Sequence, residues 1–444
     1  METAPTKWIN GFSKLSKAAQ REWVAEQYGD DPGELIVRMA SFDHPDQRIQ
    51  EGIDHFAENT IANYVMPLGI APNFLIDGKT YAVPMAIEES SVVAAASAAA
   101  KYWGTRGGFK TTILGTTKVG QLFFEWNGEE AVLQELLPQL SLKLLERSKP
   151  HTVNMERRGG GVKGITLHVY PELPNTFELR GTFETRDSMG ANFINTILEC
   201  WGEALPVVLA SCLKRLEQNG TKPLTEPRVL MGILSNYTPE CVVRAEVSCH
   251  VSEMGGALGG FTADELAHRF HQAVQLARVS PYRATTHNKG IFNGIDAVVI
   301  ATGNDFRAVE ACGHAYAGRD GQYRSLSQSS IVDGQFRFWL DIPLALGTVG
   351  GLTKAHPLAA TSLEILGQPG ADELMRIVAA TGLAQNFAAV RSLVTTGIQA
   401  GHMRMHLQNI LTQLGAEECK RSEAEAYFAD KTVSVAGVRA WLEA

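Results

Sequence analysis

The stretch from 281 to 317, PYRATTHNKGIFNGIDAVVIATGNDFRAVEACGHAYA, concentrates chemically active side chains. Lys289 precedes, and Asp305 follows, a short apolar run at 297–301. An apolar run of that length between turn-forming residues predicts a buried strand. Charges at its two ends would form a poorly solvated ion pair, and such pairs are costly unless hydrogen-bonded and are often functional. The alternative is a loop, strand and loop with surface charges.

A second set of candidates, Glu88-Glu89-Ser90-Ser91, precedes the segment VVAAASAAAKYW. The alanine-rich segment predicts a helix. It is uncharged from 92 to 100, so we expect burial on all sides. Helix capping explains both glutamates, because carboxylates suit a helix N-terminus. The alternative is a carboxyl group at the mouth of a cleft, poised for proton transfer by desolvation. Residue types do not choose between Glu88 and Glu89.

Three further motifs each have a structural explanation as well as a functional one. His402 and His406 lie one helical turn apart, but no third ligand motif accompanies them, so we expect no metal site. The segment 186–192, RDSMGAN, joins a predicted strand to a predicted helix, and free N–H groups at a helix start can receive a phosphate. The glycines at 159–161 follow Arg157-Arg158, and we favour a hairpin turn there over close approach of a ligand.

These residues need elements to position them. Residues 16–28, 46–58 and 371–396 predict helices, with Ser16 as an N-cap. Asp77-Gly78 between two apolar runs predicts a β-hairpin.

From 111 to 222 the order β-α-β-β-α predicts a small ferredoxin-like α+β domain that interrupts a larger one. In this prediction TTILGTTKVGQLFFEW is a strand, turn and strand of the small domain, and VLMGILSNY is a strand of the large one. The predicted domains are 1–110 and 223–398 (large), 111–222 (small) and 399–444 (a C-terminal helical flap).

Composition limits the function classes. The chain has 444 residues, 45% hydrophobic and 20% charged, and a net charge of −8 without a basic block, which argues against nucleic acid as partner. The six cysteines form no CxxC pair and suit a reducing cytoplasm as buried apolar residues. No apolar run suits a signal peptide or a membrane span, so we expect a soluble cytoplasmic protein.

Several segments together resemble the class II 3-hydroxy-3-methylglutaryl-CoA reductases. The matching segments, which follow the family's order between residues 58 and 403, are ENTIANYVMPLGIAPNF, VPMAIEESSVVAAAS, RDSMGAN, ILSN, PYRATTHNKGIFNGIDAVVIATGNDFRAVEA, GTVGGLTKAHPLA, GLAQN and GIQAGHM. The resemblance implies a large α/β substrate-binding domain with a central buried helix, a small nucleotide-binding domain and a flap. It implies reduction of 3-hydroxy-3-methylglutaryl-CoA by two hydrides to mevalonate and CoA.

The resemblance places the family's catalytic set on Glu89, Lys289, Asp305 and His402. An ammonium at Lys289 would stabilise the oxyanion, and Asp305 would support it. His402 would protonate the leaving CoA thiolate, and Glu89 would donate or relay a proton to the mevaldehyde oxygen.

The resemblance also implies binding residues. Arg283 suits the substrate's carboxylate as a forked donor. Further substrate contacts are implied at Ser91, Asn293 and Asn386, and cofactor contacts at Asp187, Met189, Gly190, Ala191 and Asn192. Ser188 stands where alanine is commoner, a change that should not abolish binding. No aspartate corresponds to the acidic residue of NAD-preferring members and two arginines lie nearby, which favours NADP(H) over NAD(H). Lys14 falls near a CoA-binding arginine of some members.

Family architecture implies a homodimer with shared active sites, and hexamers are known. We keep two alternatives: NAD-dependent oxidative acylation of mevalonate to the CoA ester, and a non-catalytic CoA-ester-binding protein. Retention of all four catalytic residue types argues against the second.

Overall fold

The computed structural model describes residues 7–214, 226–255, 260–395, 397, 407–428, 431 and 433–443. The helices are α1 (Lys17–Tyr28), α2 (Pro32–Ala40), α3 (Gln47–Asp54), α4 (Val92–Gly104), α5 (Glu130–Arg157), α6 (Ala191–Leu213), α7 (Ala263–Val279), α8 (Pro281–Ala301), α9 (Phe306–Ala317), α10 (Leu352–Ala355), α11 (Pro357–Ile365), α12 (Ala371–Val394), α13 (Glu418–Tyr427) and α14 (Val435–Glu443). The strands are β1 (Leu68–Ile76), β2 (Lys79–Ala86), β3 (Lys110–Ile113), β4 (Lys118–Glu125), β5 (Gly161–Val169), β6 (Thr176–Glu184), β7 (Arg228–Ser235), β8 (Val242–His250), β9 (Ser327–Val332) and β10 (Gln335–Pro343).

Helices α1 and α3 begin within one residue of their predicted starts, whereas α2 was not predicted. The Ser16 hydroxyl accepts a hydrogen bond from the N–H of Ala19, which confirms the N-cap of α1. Asp31 caps α2 in the same way, with Pro32 in the first turn, so the Asp-Pro-Gly segment that interrupts the chain also starts the next helix. The Asp77-Gly78 hairpin between β1 and β2 is confirmed, with both residues at positive φ, as a type I′ turn requires.

The large unit is built on a four-stranded antiparallel sheet in the order β3-β8-β10-β9. Alternate side chains of β10, from Phe336 to Ile342, are fully buried. Helices α7 and α12 pack against the sheet. Most of α12 is buried, and this helix is the central buried helix of the unit.

The expectation that α4 is buried on all sides is wrong for the single chain. Its Ala96, Ala99 and Trp103 face α12 and β1, whereas Ala94 and Ala98 are exposed. A segment without charges need not be buried on all sides, because alanine is common at both buried and exposed positions and exposes little apolar area.

The strand predicted at 297–301 is also wrong. These residues form the last turns of α8, and Ala297, Val298, Val299 and Ala301 are buried there. A short apolar run has the same periodicity in a buried strand and in a buried helix, and only the length of the whole element separates them. Here the helix begins much earlier, at Pro281, with Ser280 as its N-cap.

The small unit is ferredoxin-like, as predicted, with α5 and α6 packed against an antiparallel sheet in the order β5-β6-β4-β7. Two strand assignments were wrong. Strand β3 pairs with β8 of the large sheet, so 111–126 is not a hairpin, and β7 pairs with β4. Sheet partners are set by pairing distant in sequence, which local patterns do not reveal. The domain bounds themselves stay a prediction, which sheet membership would move to about 114 and 236.

The C-terminal residues form a separate helical cluster. Residues 407–413 are helical, and α13 and α14 follow. Leu407, Leu411, Phe428 and Val438 are buried against one another, apart from the two larger cores. A small core of its own is consistent with the predicted flap at 399–444.

Candidate active site

Glu89 and Lys289 meet at the large unit's surface. Glu89 lies in the turn between β2 and α4, and Lys289 lies on α8, which packs against β2. The ammonium of Lys289 is 3.1 Å from Oε2 of Glu89, and the amide of Asn293 donates to the same oxygen at 3.3 Å. Lys289 and Asn293 are four residues apart, so they share one face of α8. Glu88 is exposed, and Glu89 is therefore the glutamate that reaches the lysine.

This ion pair is open to solvent. The Lys289 side chain is 63% exposed and that of Glu89 33% exposed. Exposed pairs stabilise a fold by less than about 1 kcal/mol, so folding stability does not account for the arrangement. The carboxyl, the ammonium and an amide donor instead converge on a place that a substrate can enter. The hydroxyl of Ser91, the N-cap of α4, makes no capping hydrogen bond and lies two residues from Glu89.

Asp305 does not reach Lys289 within one chain, so the predicted pair between them is not formed there. Asp305 caps α9, accepting from the N–H groups of Arg307 and Ala308, and its carboxylate is 3.2 Å from the Arg307 guanidinium. From Lys289 the helix α8 continues to Ala301, about 18 Å along a regular helix axis, and Asp305 follows beyond that end. The strand predicted between the two residues is wrong, since a helix continues there, and their pairing stays a prediction.

Arg283 lies in the first turn of α8 and is half-buried. Burial lowers the pKa of its guanidinium. Within the described ranges its side chain has neither an ion pair nor a hydrogen bond. A half-buried guanidinium without an anion fits a carboxylate ligand, which it can bind with two parallel hydrogen bonds.

Beneath Arg283 lies a buried polar network that the sequence analysis missed. His287 Nε2 lies 2.6 Å from the Ser327 hydroxyl, which donates to Oδ1 of Asn386 at 2.7 Å. Burial, assisted by the charge of Arg283, lowers the pKa of His287 to about 3, so the imidazole is neutral. Recognition of α8 as a helix would have revealed His287, because it lies one turn after Arg283.

Asn386 is only 1% exposed, and its amide also approaches the carbonyl of His287 at 3.5 Å. The structure therefore does not place Asn386 on an open surface, where the resemblance implied a direct substrate contact. The side chain is held inside the large unit because both ends of its amide face buried polar groups of α8 and β9.

The RDSMGAN segment forms the turn between β6 and α6. Gly190 is the N-cap of α6 at φ 99°, and no side chain caps the helix. A Cβ there would lie 2.6 Å from Thr185 Cγ2, so the turn needs glycine. The first N–H groups of α6, beginning with Ala191 and Asn192, remain without a side-chain cap and suit a phosphate. Ser188 fits the turn, because its hydroxyl accepts from the N–H of Gly190 at 3.2 Å.

Two of the predicted cofactor contacts have structural partners. Oδ1 of Asp187 accepts from the N–H of Ala371 at 2.8 Å, and the Asp187 carbonyl accepts from Thr348 at 2.8 Å. Asp187 thus attaches the turn to the large unit. The backbone N of Met189 packs against Gly347, where a Cβ would come within 2.5 Å of it.

The glycines at 159–161 form a tight turn, but it joins α5 to β5 and is not the hairpin turn that the sequence favoured. Gly159 and Gly161 have positive φ. Nε of Arg186 donates to the carbonyl of Gly159 at 2.9 Å, which brings this turn against the RDSMGAN segment. Arg157 and Arg158 are exposed and directly precede this glycine turn.

His402 and His406 lie outside the described residues. Lys14 ends a short 3-10 turn, Phe12–Lys14, and is exposed. Helices α6 and α12 have the length and hydropathy of membrane spans, but most residues of the apolar stretch of α12 are buried within the protein, and α6 packs on the small sheet. Four of the six cysteines are buried, as expected.

The ferredoxin-like unit has an uncapped helix N-terminus that suits a phosphate, and the large unit has an accessible lysine–glutamate pair and an arginine without an anion, which together suit an enzyme that uses a nucleotide cofactor. Comparison with known proteins narrows the class. Residues 17–407 match the family model of hydroxymethylglutaryl-coenzyme A reductase. The chain belongs to this family.

Two relatives and a solved structure illustrate the match. The 3-hydroxy-3-methylglutaryl-coenzyme A reductase of Archaeoglobus fulgidus is 38% identical over 92% of this chain and 87% of its own length. A probable reductase of Borreliella burgdorferi is 30% identical over 91% of this chain and 88% of its own. The Streptococcus pneumoniae enzyme superposes with a TM-score of 0.71 at 34% identity, covering 98% and 99% of the two chains. A class II structure from that organism is bound to NADPH.

Proposed function

We propose that this chain reduces 3-hydroxy-3-methylglutaryl-CoA to mevalonate and CoA, using two equivalents of NAD(P)H. The observation that carries the proposal is the convergence of Lys289, Glu89 and Asn293 at an accessible place, a short distance along α8 from Arg283. The family match covers all of these residues.

The chain's residues are suited to the two reduction steps. The cofactor, when bound, supplies the hydrides. The Lys289 ammonium stabilises the substrate oxygen as it becomes negative. Collapse of the hemithioacetal breaks the carbon–sulfur bond, and His402 protonates the departing thiolate. In the second step Glu89 provides the proton for the alkoxide, with Asn293 holding its carboxyl group.

Arg283 receives the carboxylate at the far end of the substrate. It lies six residues before Lys289, about 9 Å along the helix axis. The neutral His287 beneath it adds no competing charge. A substrate that spans the two cations would be oriented with its carboxylate at one end and its thioester at the other.

A second copy of the chain completes the site. Within one subunit Asp305 forms no ion pair with Lys289, since its carboxylate pairs with Arg307 and Lys289 pairs with Glu89. A homodimer in which one subunit provides Lys289 and its partner provides the aspartate would restore the pair that the family resemblance implies. The exposed alanines of α4, next to Glu89, are consistent with a covered interface.

The nucleotide binds at the small unit, with its phosphates at the start of α6. The residues present fit the group, since Gly190 leaves the helix uncapped and Ala191 and Asn192 offer N–H groups. Arg157 and Arg158 beside the turn favour NADP(H) over NAD(H), because a 2′-phosphate needs cations. We further propose that the protein is soluble and cytoplasmic.

Initial rates test the proposal. Purified protein is assayed with NADPH and NADH in the reductive direction, and with mevalonate, CoA and either oxidised cofactor in the other. We expect faster reduction with NADPH. A clear preference for mevalonate oxidation with NAD would favour the degradative role. Absence of cofactor turnover, with the CoA ester still bound, would leave only the binding-protein alternative.

A further inference from the structure

A buried lysine lies beneath the RDSMGAN turn, outside the residues assigned above. Lys118 is the first residue of β4 and is 5% exposed. Its ammonium donates to the carbonyl of Ser188 at 2.7 Å and to the hydroxyl of Thr185. Both partners belong to the turn between β6 and α6.

This arrangement is costly. Within the part of the chain that the structure describes, Lys118 has no carboxylate within ion-pair distance, and its contacts are a carbonyl and a hydroxyl. Burial lowers the pKa of its ammonium, and the negative charge of more distant carboxylates such as Glu184 opposes this shift. A buried ammonium with only neutral partners weakens folding, since an apolar side chain of similar volume would avoid the desolvation. The lysine therefore has a use other than stability.

The contacts of Lys118 fix the backbone that leads into α6. The Thr185 hydroxyl also donates to the Ser188 carbonyl, at 2.6 Å, so lysine and threonine hold one oxygen together. The carbonyl of Ser188 and the N–H of Met189 belong to one planar peptide group and point in opposite directions. Holding that carbonyl sets the plane of the Ser188–Met189 peptide, one residue before Gly190, the N-cap of the helix.

The opposite side of the turn is held by the large unit. The carbonyl of Asp187 accepts from Thr348, and its carboxylate accepts from Ala371 at the start of α12. Lys118 supplies the matching attachment from the small unit's own sheet. Without it, the Ser188 carbonyl would keep only its hydrogen bond from the Thr185 hydroxyl, and the peptides from Ser188 to Gly190 would be held less firmly.

We propose that Lys118 is a positioning residue for nucleotide binding, which holds the Ser188 carbonyl and so keeps the first turn of α6 aligned for the cofactor's phosphates. The inference rests on the proposed function, in which this turn receives the nucleotide. Lys118 acts through the turn, because its ammonium faces the backbone and is shielded from solvent.

The test compares Lys118→Met with the unmodified protein. Methionine keeps the length of the side chain and removes the charge. We expect the dissociation constant for NADPH, measured by quenching of protein fluorescence without substrate, to rise about tenfold, the effect of losing a hydrogen bond to a charged group. The KM for the CoA ester and kcat at saturating NADPH should stay unchanged. An unchanged dissociation constant would overturn the inference, as would an equal loss for both substrates.

Further variants test whether Lys118 acts through the Ser188 carbonyl. Thr185→Val should raise the dissociation constant for NADPH less than Lys118→Met does. The double variant should raise it by less than the product of the two single fold-changes, because both side chains hold one carbonyl. Lys143→Met is the matched control, since Lys143 donates to the hydroxyl of Ser211 in the same unit, away from the turn. Its dissociation constant should be that of the unmodified protein. If Lys118→Met does not fold, Thr185→Val alone decides.

Gly190→Ala distinguishes the two proposals. If Gly190→Ala weakens NADPH binding and Lys118→Met and Thr185→Val do not, the role of Lys118 is wrong and the binding turn stands. If all of them leave the dissociation constant unchanged, the turn does not bind the nucleotide and the proposed cofactor site fails.

Discussion

The substrate side of the site, around Lys289, and the nucleotide side, around Ser188, differ in how far one chain completes them. Lys289 is largely exposed, has a single carboxylate partner and lacks the aspartate that the family resemblance implies. The Ser188 turn is held from both units, by Lys118 below and by Asp187 bonded to α12 above. The difference indicates that the residues that bind the nucleotide are positioned when a single chain folds. The residues that bind the substrate are fully positioned only when a second subunit is present.

The largest expected effect is at Lys289. Lys289→Ala should lower turnover by about 10²- to 10³-fold, since it removes the charge that stabilises the oxyanion. Binding of the CoA ester, measured by calorimetry, should persist through Arg283. NADPH binding should not change if the two sides are independent. Lys101→Ala, at an exposed position on α4, serves as the control. Turnover near that of the unmodified protein would refute the role of Lys289.

On the nucleotide side, Gly190→Ala should raise the dissociation constant for NADPH about tenfold, because alanine is strained in the left-handed region. The added Cβ would also meet Thr185. Fluorescence titration measures the change. Gly78→Ala in the β1–β2 turn, also at positive φ but with open space around its Cβ position, tests for a general loss of stability. Equal binding losses in both variants would contradict a local effect.

Much of this arrangement could be predicted from sequence, and the failures share a cause. The ferredoxin-like order, the Asp77-Gly78 hairpin and the helix at 371–396 follow from local signals, namely periodicity and turn chemistry. The partners of β3 and β7 and the nature of 297–301 depend on contacts distant in sequence. The same holds for the site, since motifs identify Glu89 and Lys289 but do not show that they meet.

Lys118 shows more clearly what local sequence patterns cannot predict. In the sequence it begins an alternating strand, and nothing marks it as buried. Its environment arises because β4 pairs with β6, which places Lys118 opposite Phe183 and two residues from the turn. Asp305 shows the opposite. Its motif identifies it readily in the sequence, but the sequence does not show that it lies apart from Lys289 within one chain.

A smaller effect tests whether the substrate side is shared between subunits. Lys289→Ala and Asp305→Asn protein are each inactive in the proposed homodimer, but a hybrid dimer contains one site with both native residues. After random reassortment of an equal mixture, about a quarter of the unmodified activity should return. The assay is the reductive rate after mild dissociation and dilution. Reassortment of each variant with itself is the control, and no recovery would refute the shared site.

The smallest expected effect concerns the junction between α8 and α9, which separates Lys289 from Asp305. Asp296 on α8 lies beside Glu310 on α9, and burial, with the charge of Glu310 and a hydrogen bond to it, raises the pKa of Asp296 to about 8. In the unfolded chain that carboxyl titrates near pH 4. Because the folded state keeps the proton to higher pH, stability should fall as the pH rises from about 4 to about 8.

Asp296→Asn should remove this loss of stability at high pH, since the amide cannot ionise. Relative to the unmodified protein, the variant should gain at least about 1 kcal/mol in unfolding free energy between pH 5 and pH 9. Urea denaturation at the two pH values measures it, with the exposed Asp320→Asn as control. NADPH binding at pH 9 should not change, because the Ser188 turn is attached through α12 and β4 rather than α8. A gain equal at both pH values would show that Asp296 ionises alike in the folded and unfolded states, and a parallel change in NADPH binding would show that the two sides of the site are coupled.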